Sequence, residues 1–143
     1  MTAAFVLDAS VVAALYVEEP FSDDVRAMLE RLTGAGASLH APELLLFEVA
    51  NVLWKRARRN EVLAPDALRA IGDLAHWRDL ELHSAAPLAR PALSMAIAHG
   101  LTAYDAAYVA LAGVVGGVVV TADRRLQEIG TSAGLPVASV AEA

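Results

Sequence analysis

Short β-branched or apolar runs, each separated from the next by a longer stretch of helical periodicity, restrict this chain to a narrow group of folds. The runs are Phe5 to Leu7, Leu39 to Ala41, Leu80 to His83, Val118 to Thr121 and a last one near Val137. A strand reaches a parallel neighbour only through a crossover long enough to hold a helix, so this alternation is the pattern of parallel α/β domains. Such crossovers nearly always turn the same way, which puts helices on both faces of the sheet. The expectation is one α/β domain over residues 1–143, a three-layer α/β/α sandwich around a central parallel sheet of four to five short strands. A length of 143 residues and an apolar content of 57% can bury a core of that size.

The intervening helices have readable limits. Ser10 is placed to cap a first helix through Val17, broken by Pro20, and Ser22 starts a second that reaches Leu32 before Gly34 and Gly36. Pro42 suits the first turn of a third helix ending near Arg59, in which Leu45, Val49, Val52 and Leu53 recur at helical spacing. Pro65 and Asp66 begin a fourth, with Leu68, Ile71, Leu74 and Ala75 on its buried face. A fifth runs from Pro91 to His99, a sixth from a Thr102 cap to about Ala112, and a seventh from Ala122 or Asp123 to Ile129. The longest uncharged run, Ala106 to Ala122, contains three glycines and falls short of the roughly 20 apolar residues of a membrane span, so it reads as a buried helix followed by a strand.

Composition narrows the chemistry. The chain has no cysteine, hence no disulfide, thiolate zinc site or thiol nucleophile, and no basic residue precedes its first apolar stretch as in a secretory signal. A cytoplasmic protein without a membrane segment is expected. The net charge of -6 opposes passive coating of nucleic acid, so contact with a polyanion needs local positive patches. The apolar fraction is high for a soluble chain, which points to a partner subunit covering part of the surface.

Against this background four acids stand out. Asp8 follows the first strand in FVLDASVV and Asp123 follows the VVVT strand, so both sit at strand carboxyl ends, where open α/β sheets bind ligands. Glu48 in LLLFEVANVLW and Asp105 in LTAYDAAYVALAG lie inside otherwise apolar helical patterns, with no basic residue three or four positions away. The other acids of the 17 lie in polar or helix-terminal surroundings, where surface charge or capping accounts for them. Asp8 and Asp105 also have ordinary readings, as an N-cap and a first-turn acid; Glu48 has the weakest. Two carboxylates about 5 Å apart repel by roughly 3 kcal/mol at an effective dielectric near 20, so four in one cleft need protons or cations. Hard oxygen ligands without Cys select Mg²⁺ or Mn²⁺ over Zn²⁺, and such ions typically act on phosphates. Phosphodiester hydrolysis is the chemistry that fits.

In order and in local context, LDASVV, FEVANVL, LTAYDAAYVALA and VVTADRRL resemble the four motifs of PIN domains, most closely the VapC toxins of bacterial type II toxin-antitoxin pairs. The resemblance covers essentially the whole chain. It implies a Mg²⁺- or Mn²⁺-dependent endoribonuclease, a homodimer, silenced by a cognate antitoxin whose C-terminal segment fills a groove beside the active site. Asp8, Glu48, Asp105 and Asp123 would then be the metal-binding and catalytic quartet. Ser10 and Thr121 match hydroxyl positions that would orient the acids or the substrate, and Asn51 matches a polar position one turn beyond Glu48. Arg124, Arg125 and Leu126 stand where some family members carry a further acid, so one tightly held ion plus one recruited with the substrate is expected.

Arg124 and Arg125, beside Asp123, are the candidate RNA contacts, whereas Lys55 to Arg59 reads as stabilising charge at a helix C-terminus. His40, His76, His83 and His99 are too far apart in sequence to suggest a ligand pair and read as surface or cap residues. Trp54 and Trp77 read as parts of helical apolar faces, packed in the core or a dimer contact. Two alternatives to the nuclease exist. A catalytically inactive PIN-like binding module would be expected to have eroded acids, and all four are present. An aspartyl phosphotransferase or phosphatase of the haloacid dehalogenase type would use Asp8 as nucleophile with a second Asp two residues on, where this chain has Ser10.

Overall fold

A computed structural model describes residues 2–143. The five expected strands form one sheet, with β1 (Ala4–Leu7) at its centre, β2 (Ser38–Pro42) and β3 (Leu80–His83) on one side, and β4 (Val118–Thr121) and β5 (Val137–Ser139) on the other. All four pairings are parallel and the order is β3-β2-β1-β4-β5. Val6 stands opposite His40 and Val119, and His40 opposite Glu81, which fixes the register. The chain winds outward from β1 to β3, then crosses back to β4 and winds outward again. That reversal leaves a crevice between the carboxyl ends of β1 and β4, the switch point at which ligands bind in such sheets.

The helices are α1 (Ala9–Ala13), α2 (Ser22–Gly34), α3 (Leu44–Arg58), α4 (Ala64–Ala75), α5 (Ala85–His99), α6 (Ala103–Val115) and α7 (Arg124–Ala133). Helix α6 lies against β1, β2 and β4 and pairs with α5, while α1 packs on α3 and β4, and α3 on α4. Apolar side chains of β1, β4 and α6, among them Val6, Leu7, Val119, Val120 and Leu111, form the fully buried centre. Strands buried this way read as continuous apolar runs, which is why β1 and β4 were the plainest in the sequence.

Several boundaries differ from the sequence expectation, each for a local reason. Helix α1 is capped by Asp8, not Ser10, and ends at Ala13 rather than Val17. Its Ala14 carbonyl accepts instead from the buried Ser22 hydroxyl at 2.8 Å, which joins the end of α1 to the start of α2. Pro42 closes β2, opposite His83, and α3 begins two residues later, since an extended backbone suits the fixed φ of proline at a strand end equally well. Helix α5 starts at Ala85, six residues before Pro91. Pro87 falls in its first turn, where the missing N–H is an orphan in any case, and Pro91 is tolerated inside at the loss of one backbone bond. Helix α7 extends one turn past Ile129, because Gly130 lets it approach β5; a Cβ there would stand 2.7 Å from the Val137 Cβ.

Helix α4 departs most in its packing. Of Leu68, Ile71, Leu74 and Ala75, Leu74 alone is buried and Leu68 is 72% exposed, because α4 rests on α3 at the margin of the molecule. No helix among the described residues is long and apolar enough to cross a membrane.

Candidate active site

Asp8 is the best anchored acid of the four. It directly follows β1, its backbone N–H donates to the Val120 carbonyl of β4 at 3.0 Å, and it is 7% exposed. Its Oδ2 accepts from the Ser10 hydroxyl at 2.7 Å, the Thr121 hydroxyl at 2.8 Å and, more weakly, the Ser10 N–H at 3.4 Å. Among the described residues every hydrogen bond to the Asp8 carboxylate falls on Oδ2, leaving Oδ1 unengaged. A carboxylate restrained through one oxygen keeps a fixed direction for the other.

Thr121 and Ser10 carry the restraint onward. The fully buried Thr121 Oγ1 also accepts the Asp123 N–H at 3.0 Å, and the Ser10 Oγ accepts the Ala122 N–H at 3.0 Å. The ends of β1 and β4 are thus bound through two hydroxyls, each used as donor and acceptor. Asp123, exposed, caps α7 through Oδ1, which accepts from the N–H groups of Arg125 at 2.9 Å and Leu126 at 3.4 Å. Both strand-end acids are therefore N-caps, and a capping role does not compete with a second one for the remaining oxygen.

The other two acids enter from helices on different connections. Glu48, half-buried on α3, accepts a hydrogen bond from the Tyr108 hydroxyl of α6 at 2.6 Å. Asp105 occupies the first turn of α6, whose cap Thr102 accepts the Asp105 N–H at 3.1 Å. Burial raises the pKa of Glu48; the Tyr108 bond opposes this, and the charges of Asp8 and Asp105 add to it. Burial likewise raises Asp105, reinforced by the charges of Asp8 and Asp123 and opposed by Arg125. The four acids therefore sense one another across the crevice, and among the described residues no ion pair reaches any of them. This is concentrated negative charge without a matching cation, a state that a cation or protons must relieve. No three of the four present ligand atoms all within 4.8 Å of one another.

One model of a known family matches residues 5–131, and its description is PIN domain. The chain belongs to the PIN-domain family. Ribonuclease VapC3 of Pyrobaculum aerophilum is 43% identical over 124 residues, which cover 86% of this chain and 92% of the relative. The crystal structure of PAE2754 from the same organism superposes with a TM-score of 0.68 at 28% identity, covering 97% of this chain and 85% of that one. A toxin-antitoxin complex from Klebsiella pneumoniae contains a chain of the same fold, with a TM-score of 0.64 at 15% identity, covering 99% and 100% of the two chains.

In this PIN domain the remaining candidates fall into place unequally. Asn51 lies one turn beyond Glu48 on α3, exposed and without a hydrogen bond to the acids among the described residues. Arg124 and Arg125 are exposed at the start of α7, and the Arg125 guanidinium reaches the Gly100 carbonyl at 3.5 Å, toward the α6 start that carries Asp105. Within Lys55 to Arg59, Arg56 pairs with Glu19 and, at 3.4 Å, with Glu61, while the Arg58 guanidinium stacks 4.8 Å over the Trp54 ring. Part of that basic run is thus consumed structurally.

Two expectations are corrected. Trp77 lies in the loop after α4 rather than on a helix, although it packs partly buried against the core, whereas Trp54 is on α3 as expected and is 51% exposed. His40 and His83, separated by 43 residues, meet at 2.9 Å between Nδ1 and Nε2, because β2 and β3 pair side by side. His76 does cap: its Nδ1 meets the Gly72 carbonyl at the end of α4. Tyr108 went unnoticed in the sequence, although its position three residues after Asp105 puts it on the same face of α6. Its phenol, fully buried, has its pKa pushed up by burial first and then by the charges of Glu48 and Asp8, so it stays protonated and donates to Glu48.

Proposed function

We propose that this PIN domain is a Mg²⁺- or Mn²⁺-dependent endoribonuclease, the toxin of a toxin-antitoxin pair, whose active site is formed by Asp8, Glu48, Asp105 and Asp123. The observation that carries the reading is the convergence of four carboxylates without a paired cation at the β1/β4 switch point. Membership of the PIN family and 43% identity to a ribonuclease support the substrate class. The all-oxygen donor set, with Asp8 Oδ1 unengaged and two acids raised in pKa by burial and, after it, by the charges of their neighbours, fits a hard divalent ion. Asp8, Glu48, Asp105 and Asp123 would hold it. Once bound, such an ion polarises a phosphodiester, lowers the pKa of water to give a nucleophile and stabilises the leaving oxygen.

The protein's own contribution is placement. Ser10 and Thr121 hold Asp8 and tie β1 to β4, so the acid is oriented before substrate arrives. Tyr108 holds Glu48 from beneath. Arg125 and Arg124 stand beside the acids on an otherwise acidic chain, where they can contact RNA phosphates and set its direction. Asn51, on the Glu48 face of α3, is placed for a sugar or base contact.

The same reading supplies partners. A groove of ≈ 270 Å³ between α3 and α4 is lined by Leu53, Trp54, Leu68 and Ile71, and Phe47 and Leu63 are also exposed nearby in sequence. Apolar surface of this kind suits a second copy of the chain and the antitoxin segment. A cytoplasmic location follows from such a substrate.

Cleavage of total cellular RNA by purified protein with Mg²⁺, Mn²⁺ or EDTA, beside the Asp8→Asn variant, tests the proposal. Discrete cuts that need metal and vanish in the variant are expected. Cleavage that persists in EDTA, or no cleavage with either metal, would overturn it.

A further inference from the structure

The second group of ligand-type side chains lies away from the four acids, on one face of β2 and β3. His40 Nδ1 stands 2.9 Å from His83 Nε2 and 3.4 Å from Glu81 Oε2, and His83 Nε2 stands 3.9 Å from Glu81 Oε1. Ligand atoms around a tetrahedral ion with bonds of 2.0–2.1 Å are separated by about 3.3 Å, so the observed spacings straddle what such an ion requires. Two imidazoles and one carboxylate, with solvent at the fourth position, form a donor set suited to Zn²⁺ and poorly suited to Mg²⁺.

The hydrogen bonding around the trio sharpens the assignment. His40 Nε2 lies 2.9 Å from the Ser38 hydroxyl, the adjacent residue on the same face of β2. An Nε2–H that donates to this hydroxyl leaves the Nδ1 lone pair of His40 pointing at His83, as a metal-ligating imidazole with a fixed tautomer does. His40 is 8% exposed and fixed in position, whereas Glu81 is exposed and supplies the side from which an ion can enter. The two rings come from adjacent strands, and β3 is the sheet edge, so an ion here would fasten the edge strand to its neighbour.

We propose that His40, Glu81 and His83 form a second metal site, separate from the four acids, that takes a borderline divalent ion of the Zn²⁺ type and fastens β3 to β2.

The test is calorimetric titration of the full chain, prepared without a polyhistidine tag and kept in excess Mg²⁺, with Zn²⁺ alone. One equivalent per chain is expected, with a rise in melting temperature as Zn²⁺ is added. His83→Ala should weaken binding by more than about 10-fold and Ser38→Ala by about 10-fold, in line with ligands and the groups that orient them. Glu81→Gln, at an exposed position that leaves the fold intact, should also weaken it by about 10-fold. Asp8→Asn should bind Zn²⁺ as the wild type does. Co²⁺ in place of Zn²⁺ should give the intense visible absorption of a four-coordinate ion. Absence of Zn²⁺ binding, binding unaffected by both His83→Ala and Glu81→Gln, or binding lost in Asp8→Asn would each overturn the proposal.

Discussion

The crevice between β1 and β4 and the histidine face of β2 and β3 are built from the same kind of strand pairing, yet they solve opposite electrostatic problems. In the crevice four like charges are gathered and their mutual repulsion is only partly offset, with hydroxyls fixing directions, Arg125 acting on Asp105 from a distance and no ion pair to any of the four among the described residues. On the histidine face three groups satisfy one another: one ring nitrogen faces the other, a carboxylate stands beside both, and Ser38 meets the buried ring. The first arrangement requires something from outside. The second is stable as it stands and is tightened by an ion. A site that stores repulsion is tuned to a charged ligand, whereas a site that stores none contributes to the fold whether or not it is filled.

The largest effect that separates the two regions is expected from Asp8→Asn. Cleavage should fall by more than about 100-fold, beyond what removing a supporting group does, while the metal-free melting temperature holds or rises because one repelling charge is gone. RNA cleavage assays and thermal melts in EDTA check both halves. A large drop in metal-free melting temperature would show that Asp8 stabilises the crevice, which would erase the contrast.

Next in size is Thr121→Val, which keeps shape but removes the hydroxyl that donates to Asp8 and accepts from Asp123 N–H. A loss of about 10- to 100-fold in cleavage rate is expected, with Zn²⁺ binding on the histidine face unchanged. Tyr108→Phe removes a buried donor to a carboxylate and should lower stability by about 1–2 kcal/mol, measured by denaturant unfolding in EDTA.

The two regions should also answer acid with opposite sign. Glu48 and Asp105 have raised pKa values in the folded, metal-free chain, so their contribution to stability is fully present below the ordinary carboxylate range and is lost as pH rises through the folded values. His40, pulled below its ordinary value chiefly by burial, contributes stability that is present above the ordinary histidine value and is lost as pH falls through the lower folded value. Thermal melts in EDTA from about pH 4 to pH 7 should therefore show a shallower loss with rising pH in the carboxylate range for Asp8→Asn than for wild type. Parallel curves for the two proteins would break the link between Asp8 and its neighbours. The smallest effect is expected from Arg125→Ala: RNA binding weakened with a salt slope lower by about 1, as for the loss of one phosphate contact.

The four acids were legible because each violates its surroundings locally. Glu48 and Asp105 are charges inside apolar helical patterns, and Asp8 and Asp123 stand where strands end, so neighbours in sequence suffice to mark them. Tyr108 was not, since a tyrosine in an apolar helix looks like core until Glu48 is known to lie opposite. Pro91 carries a strong local signal against a helix and so hides the first turns of α5 in the sequence, but packing of α5 along α6 outweighs it. The apolar stripe of α4 is visible in the sequence but its exposure is not, since periodicity shows that one face is apolar and says nothing of what covers it.

What the sequence by itself determined is therefore the parallel α/β class, the five strands in order, two acids at strand ends, and two more inside apolar helical patterns with no basic residue a turn away. These depend on residue spacing along one strand or one helix, which the chain carries without reference to distant parts. The tertiary structure alone decided which strands are neighbours, and with that the meeting of His40 with Glu81 and His83, the Tyr108 bond to Glu48 and the exposed faces of α3 and α4. Each of these depends on strand order or helix docking, and contacts between residues 40 or 60 positions apart are set by how the whole core closes rather than by any short stretch of it.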